Sequence, residues 1–296
     1  MVKRSIFTSR TLPYLLITPQ VIVTLTFFYW PAAQGMLQSL MLSDPFGQRN
    51  RFVWFDNFIR IFSDQLYLKS VGITLAFSLA TALTAITLGL FIASMANRAL
   101  RAKAVIRTML IWPYAVAPAI SGILWLFLLH PSFGVVAFFL KRRLGIDWNP
   151  VLNGNDALVM VVLASAWKQI SYNFVFFMAG MQAVPHSLIE AAAMDGAGPF
   201  RRFWAITFPL LSPTLFFLMV MNIIYAFFET FGVIHTVTQG GPGGATTTLV
   251  YKVYQDGFIG LNLGSSAAQS VVLMALIIAI TVLQFRYVER KVQYTM

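Results

Sequence analysis

The sequence predicts an all-α polytopic membrane protein with six transmembrane helices, and three observations carry that prediction. Of its 296 residues, 58% are hydrophobic and only 10% charged, and the mean hydropathy is +0.74. A soluble domain has too little interior to bury that much apolar surface. Six segments, at 12–36, 70–96, 105–130, 157–182, 206–233 and 267–288, are long and apolar. Each reaches the length of about 20 residues that a helix rising 1.5 Å per residue needs to cross about 30 Å of hydrocarbon. The apolar runs are continuous rather than alternating, which argues against strands, and an open sheet cannot satisfy its backbone in lipid.

The first segment follows a basic N-terminus, MVKRSIFTSRTLPYLL. It is longer than a signal-peptide core and ends in no small-residue cleavage pattern, so it reads as an uncleaved span. Between the first two spans, FVWFDNFIRIF places Phe52, Trp54, Phe55 and Phe58 beside Asp56 and Arg60. Such interleaving suits either a short helix in the outer membrane interface or a loop packed on its own protein. Pro13 and Pro19 interrupt the first span, and Pro113 and Pro118 the third, in LIWPYAVAPAISG. Proline removes a backbone donor and breaks the helical ladder, leaving a kink filled by a neighbour or backbone lining a cavity.

Charge sets the expected orientation. The net charge of +11 reads as topogenic lysine and arginine rather than as a nucleic-acid surface. With both termini cytoplasmic, the inside segments hold Lys3, Arg4, Arg10, Arg98, Arg101, Lys103, Arg107, Arg201, Arg202, Arg286, Arg290 and Lys291. The outside loops hold fewer cations and most of the acids, although Lys141, Arg142 and Arg143 run against the bias.

Little of the sequence supports chemistry. Cysteine is absent, and His130, His186 and His235 lie in three different segments without metal-ligand spacing. No phosphate-cradling G-x-x-x-x-G-K-[ST], nucleophile elbow or H-E-x-x-H occurs. The chain is therefore not expected to be an enzyme, nor to hold a metal or cofactor.

Two charges stand within the spans, Lys168 in SAWKQISYNFVFF and Glu229 in NIIYAFFETFGV. An ion at the bilayer centre costs roughly 2.5–3.5 kcal/mol on insertion scales, so both should face protein or water. One reading makes Lys168, Tyr172, Asn173 and Glu229 a polar substrate pathway whose cation attracts an anionic solute. The other is a structural Lys168–Glu229 pair, or a lysine reaching out to the interface.

The stretch HSLIEAAAMDGAGPFRRFWAITFP, from His186 to Pro209, is less apolar than its flanks. Ser187 and Glu190 have the spacing of a capping box, Ala191 to Ala193 favour helix, and Gly196 or Gly198 can end it. Pro199 suits the first turn of a second helix. The string predicts a helix–turn–helix at the membrane surface.

Glu190-Ala191-Ala192, then Gly196, then Ile206-x-x-Pro209 resembles the EAA loop of the membrane subunits of bacterial ATP-binding-cassette importers. Phe208 stands where that family usually has leucine. With LPYLLITPQ, WPYAVAPA, WKQISYNF, GGPGGATTTLVYKVYQDGF and SSAAQSVVLMALI, the resemblance extends along nearly the whole chain, to the carbohydrate-uptake branch and its glycerol-3-phosphate permeases. It implies one transmembrane domain over 1–296 with a MetI-like permease fold. It also implies a cytoplasmic coupling loop at 183–209, docking through Glu190, Ala191, Ala192, Asp195 and Gly196. The implied partners are a second homologous permease, two ATPase subunits binding ATP and magnesium, a solute-binding protein and membrane lipid. The implied cargo is sn-glycerol-3-phosphate or a glycerophosphodiester, with a neutral sugar as the alternative. An ion-coupled carrier would need acids within its spans, and only Glu229 offers one.

Overall fold

The structure is a computed structural model that describes residues 11–43, 50–98 and 103–288. Of the cations counted for orientation, Lys3, Arg4, Arg10, Arg101, Arg290 and Lys291 lie outside the described residues, as do the side chains of Arg98 and Lys103.

In chain order the elements are α1 (Leu12–Ser39), β1 (Met41–Ser43), β2 (Asn50–Phe52), α2 (Asp56–Ser63), α3 (Gln65–Arg98), α4 (Lys103–Ala115) and α5 (Pro118–Leu129). They continue with α6 (Val135–Leu144), α7 (Gly154–Ala183), α8 (His186–Met194), α9 (Pro199–Leu210) and α10 (Ser212–Phe228). The last three are α11 (Phe231–Val237), α12 (Leu249–Tyr254, continued by a π turn, Gln255–Ile259) and α13 (Leu263–Tyr287). Among the described residues, α1, α3, α7 and α13 are each long and apolar enough to cross a membrane, and two bent pairs raise the possible number to 6.

Those pairs are where the expected third and fifth spans depart from straight rods. Helices α4 and α5 meet at 107°, and α9 and α10 at 66°. The first bend falls at Val116 and Ala117, just before Pro118, where the chain turns extended (Ala117 φ −60°, ψ 143°). A residue preceding proline is pushed out of the helical region, and proline itself then starts the next helix. The second bend falls at Leu211, between Pro209 and Pro213, and two prolines also follow widened turns. The turns Leu25–Tyr29 and Phe203–Thr207 are π-helical, and each lies just ahead of a proline, Pro31 or Pro209. Widening the ladder accommodates a residue that cannot donate and whose ring crowds the preceding turn.

The chain forms two compact units. One comprises Met1–Ser63 and Val253–Val272. Here β1 and β2 pair antiparallel, with Met41 opposite Phe52 and Ser43 opposite Asn50. This small hairpin corrects the expectation of no strands; it lies between the apolar runs, so the periodicity of the spans carried no signal for it. Asn57 of α2 is buried and donates to the carbonyls of Ser39 and Met41, both at 2.9 Å. Asn57 and Ile61 thus form the packed face of α2, while Phe55, Ile59 and Phe62 are exposed. In the same unit Gln269 donates to Asp256 Oδ2 at 2.5 Å.

The other unit comprises Asp64–Lys252 and Leu273–Met296. Its central element is α7, which packs against α3, α4, α5 and α10. More than half of the most apolar window of α7 is buried (56%), whereas α1 buries none of its own. Close approach is built with glycine: a Cβ on Gly89 of α3 would lie 2.6 Å from the Asn173 Cβ of α7. The GGP segment forms a compact loop after α11, with Gly240 at φ +82°. Thr247 and Thr246 donate their hydroxyls to the carbonyls of Gly240 (3.0 Å) and Gly241 (2.8 Å).

Candidate functional site

Two regions gather the residues singled out by sequence. The first lies midway along α7, where the helix carries a polar stretch through an apolar core. Lys168, Gln169, Ser171 and Asn173 are all buried. Lys168 is 7% exposed and makes no hydrogen bond or ion pair among the described residues. Glu229 lies near enough for its charge to act on both Lys168 and Tyr172. It ends α10 instead of sitting inside it, as the sequence pattern had suggested, and it is exposed. Its exposure admits water, so the carboxylate is cheaper there than one turn deeper, although the free carbonyls of a helix C-terminus do nothing to favour a negative charge. The two charges thus communicate through space without a direct contact.

Aromatic rings wall this region. Tyr172 packs on Tyr114 (5.5 Å between ring centroids) and on Phe176 (4.7 Å). Trp167 sits between Trp112 (6.2 Å) and Trp125 (6.4 Å). Tyr114 and Trp112 belong to the end of α4 and Trp125 to α5, so the proline-bent pair supplies the rings that face Lys168's neighbours. Sequence inspection marked the prolines but missed Tyr114; its place inside WPYAVAPA was the available signal. The ammonium of Lys168 can attract an anion, and the rings beside it along α7 can stack on the C–H faces of a polyol.

Asn173 stands apart from that wall. Its amide and that of Asn222 on α10 bond reciprocally, Asn173 Nδ2 to Asn222 Oδ1 at 3.0 Å and Asn222 Nδ2 to Asn173 Oδ1 at 2.9 Å. Each amide also donates back to its own helix, to the carbonyls of Gln169 and Leu218, both at 2.7 Å. Both residues are 0% exposed. Every amide N–H is used, and the pair ties α7 to α10. Asn222, a lone amide in the apolar string VMNIIYAFF, escaped sequence inspection.

The second region is the α8–α9 knob. Glu190, Ala191, Asp195 and Gly196 are exposed and Ala192 half-buried. The expected helix–turn–helix forms, with one correction. Pro185 occupies the cap position with extended geometry, α8 starts at His186, and no side chain caps it. Ser187 therefore falls inside the first turn, where its hydroxyl cannot reach forward to a free amide, and no capping box forms. The far end is as expected. Gly196 adopts φ +79°, with Gly196 N–H donating to Ala193 O (3.1 Å) and Ala197 N–H to Ala192 O (2.9 Å). These two bonds are the Schellman closure that a left-handed glycine permits. Met194, at the tip, is 89% exposed.

Bent helix pairs around a polar-lined central helix, with an exposed helical knob between spans, define a membrane transport permease. The comparisons agree. Residues 85–294 match the family of binding-protein-dependent transport system inner membrane components, and the chain belongs to that family. It is a transport permease and not an enzyme. It is 57% identical over 292 residues to the sn-glycerol-3-phosphate transport system permease protein UgpA of Rhizobium meliloti (strain 1021), covering 99% of each chain. Its counterpart in Escherichia coli O157:H7 is 52% identical over 291 residues, 98% of each. Among solved structures, a chain of a bacterial alginate ABC transporter in complex with an alginate pentasaccharide-bound periplasmic protein superposes with a TM-score of 0.81. The sequences there are 21% identical, and the match covers 96% of each chain. A chain of the MetNI methionine transporter gives 0.55 at 16% identity, over 77% of this chain and 97% of that one. The fold is that of the ABC importer permeases.

Proposed function

We propose that this chain is one half of the translocation pathway of an ABC importer for sn-glycerol-3-phosphate or a glycerophosphodiester. The observation that carries the reading is the 57% identity, over 99% of both chains, to a permease named for that substrate. The site is consistent with it. A phosphate ester is anionic, and Lys168 is a buried cation without a direct partner among the described residues, flanked by Tyr172 and the charge of Glu229. Both termini and the α8–α9 knob face the cytoplasm. Glu190, Ala191, Ala192, Asp195 and Gly196 present the knob to an ATPase subunit that binds ATP and magnesium. A second, homologous permease completes the passage, and a solute-binding protein delivers cargo from outside. Closure of the two ATPase subunits draws the knobs together and rocks the spans between outward and inward access.

The test is uptake of labelled glycerol-3-phosphate by vesicles holding the complete complex. Lys168→Ala is expected to lower uptake about tenfold, the loss of roughly 1.4 kcal/mol of charge-assisted interaction, with assembly intact. Unchanged uptake removes Lys168 from the pathway. A complex that retains and transports a neutral sugar instead, stacked on Tyr114 and Tyr172, would overturn the substrate.

A further inference from the structure

Beside the knob, α3 and α9 enclose a groove of about 660 Å³ lined by Thr87, Leu90, Phe91, Phe200 and Trp204 with the shared residues Ser94, Pro199 and Phe203. A second cavity of about 190 Å³ shares those three residues and adds Asn97, Arg202 and Thr207 among its walls. The two therefore adjoin across those three residues, and they differ in chemistry. Along α3 the lining runs Thr87, Leu90, Phe91, Ser94, Asn97, one face of the helix, spanning about 15 Å at 1.5 Å per residue. Polarity rises towards the helix end. The apolar end is walled by the Phe91, Phe200 and Trp204 rings, all substantially exposed. At the polar end, the Nε–H of Arg202 is buried and has no hydrogen-bond acceptor among the described residues.

That Nε is closed off by protein; what the cavity offers an anion is the charge of half-buried Arg202, unopposed by any acid in the lining and set beside Asn97 and Thr207. An apolar trough leading away from that charge marks a tail on the same ligand. We propose that the composite cavity binds one anionic phospholipid, its phosphate on Arg202 with Asn97 and Thr207, and an acyl chain along Leu90, Phe91 and Trp204. The alternatives lack one half of the match. A helix of another subunit would fill the trough but bring no anion by virtue of its fold, and a free phosphate would leave the trough empty. A lipid seated here touches both α3 and α9 of the knob, so its occupancy bears on how firmly the knob is held.

The experiment is native mass spectrometry of the complete, delipidated complex, titrated with dioleoylphosphatidylglycerol or with dioleoylphosphatidylcholine. One tightly held phosphatidylglycerol per copy of this chain is expected. Arg202→Gln should weaken it about fivefold, the worth of one basic side chain at a charged lipid surface. Arg202→Lys should keep most of the affinity. A photoreactive acyl chain should label Phe91 or Trp204. Equal binding of the zwitterionic lipid, or labelling away from both helices, would overturn the proposal. So would displacement of the lipid by millimolar inorganic phosphate, which would assign the polar cavity to a free anion. A photoreactive residue placed at position 91 that captures another polypeptide in native membranes would give the trough to a protein partner and likewise overturn it.

Discussion

Replacing Asn222 by leucine removes two interhelical hydrogen bonds, of 3.0 and 2.9 Å, and leaves the Asn173 amide buried at 0% exposure with its oxygen and one donor arm unmet. Interhelical hydrogen bonds in membranes average about 0.6 kcal/mol each, so the two bonds contribute roughly 1 kcal/mol. The orphaned amide adds a desolvation cost of about 1–3 kcal/mol. Asn222→Leu should therefore destabilise the permease by about 2–4 kcal/mol, and Asn173→Leu by a similar amount, since the pair is reciprocal. The double variant leaves no orphan and places two isosteric apolar side chains in contact. It should cost less than either single change, a coupling of about 2 kcal/mol or more. The assay is detergent-titrated unfolding of the four proteins in bicelles, followed by tryptophan fluorescence. Additive losses, or a single variant costing under about 0.3 kcal/mol, the usual error of additivity, would show that the amides are not coupled.

Three further outcomes follow from the same geometry. Gly89→Ala pushes a methyl group to within 2.6 Å of the Asn173 Cβ and should cost about 1–3 kcal/mol in the same unfolding assay; a neutral result would mean that α3 shifts freely against α7. Gly196→Ala forces an alanine to φ +79° at a cost of about 1–2 kcal/mol, so amide exchange across 191–197 should quicken at least about fivefold. Unaltered exchange would refute the closure described for α8. Met194→Ser removes the most exposed large apolar side chain of the knob; if the knob docks on an ATPase subunit, the isolated subunit should bind the permease about tenfold more weakly, the worth of a buried methionine. Equal affinity would place Met194 outside that contact.

Much of the architecture was legible in the sequence because lipid imposes a single rule on backbone. A run of apolar residues of sufficient length has to be helical, so the cores of α1, α3, α7 and α13 could be placed from composition alone. The left-handed end of α8 was legible for a related reason: a glycine following a helix-favouring run is a local signal with a local cause. The start of α8 was not, because Ser187 and Glu190 satisfy a spacing rule that says nothing of where Pro185 will set the first turn. The hairpin at Met41–Ser43 and Asn50–Phe52 was invisible for lack of alternation in strands three residues long.

Prolines show the same division. Pro13 and Pro19 announce disruption as plainly as Pro113 and Pro118, but the third span bends by 107° while α1 carries the first two without a break. Which remedy is adopted depends on the helices packed alongside, and no proline carries that information. Likewise the sequence by itself determined that Lys168 and Asn173 are costly in a membrane and must be answered by something. Only the tertiary structure decided the answers: a reciprocal amide from Asn222 for Asn173, and for Lys168 a carboxylate, Glu229, held at a distance. Local chemistry sets the cost of burying a polar group, whereas the partner that offsets it comes from residues tens of positions away that only folding brings alongside.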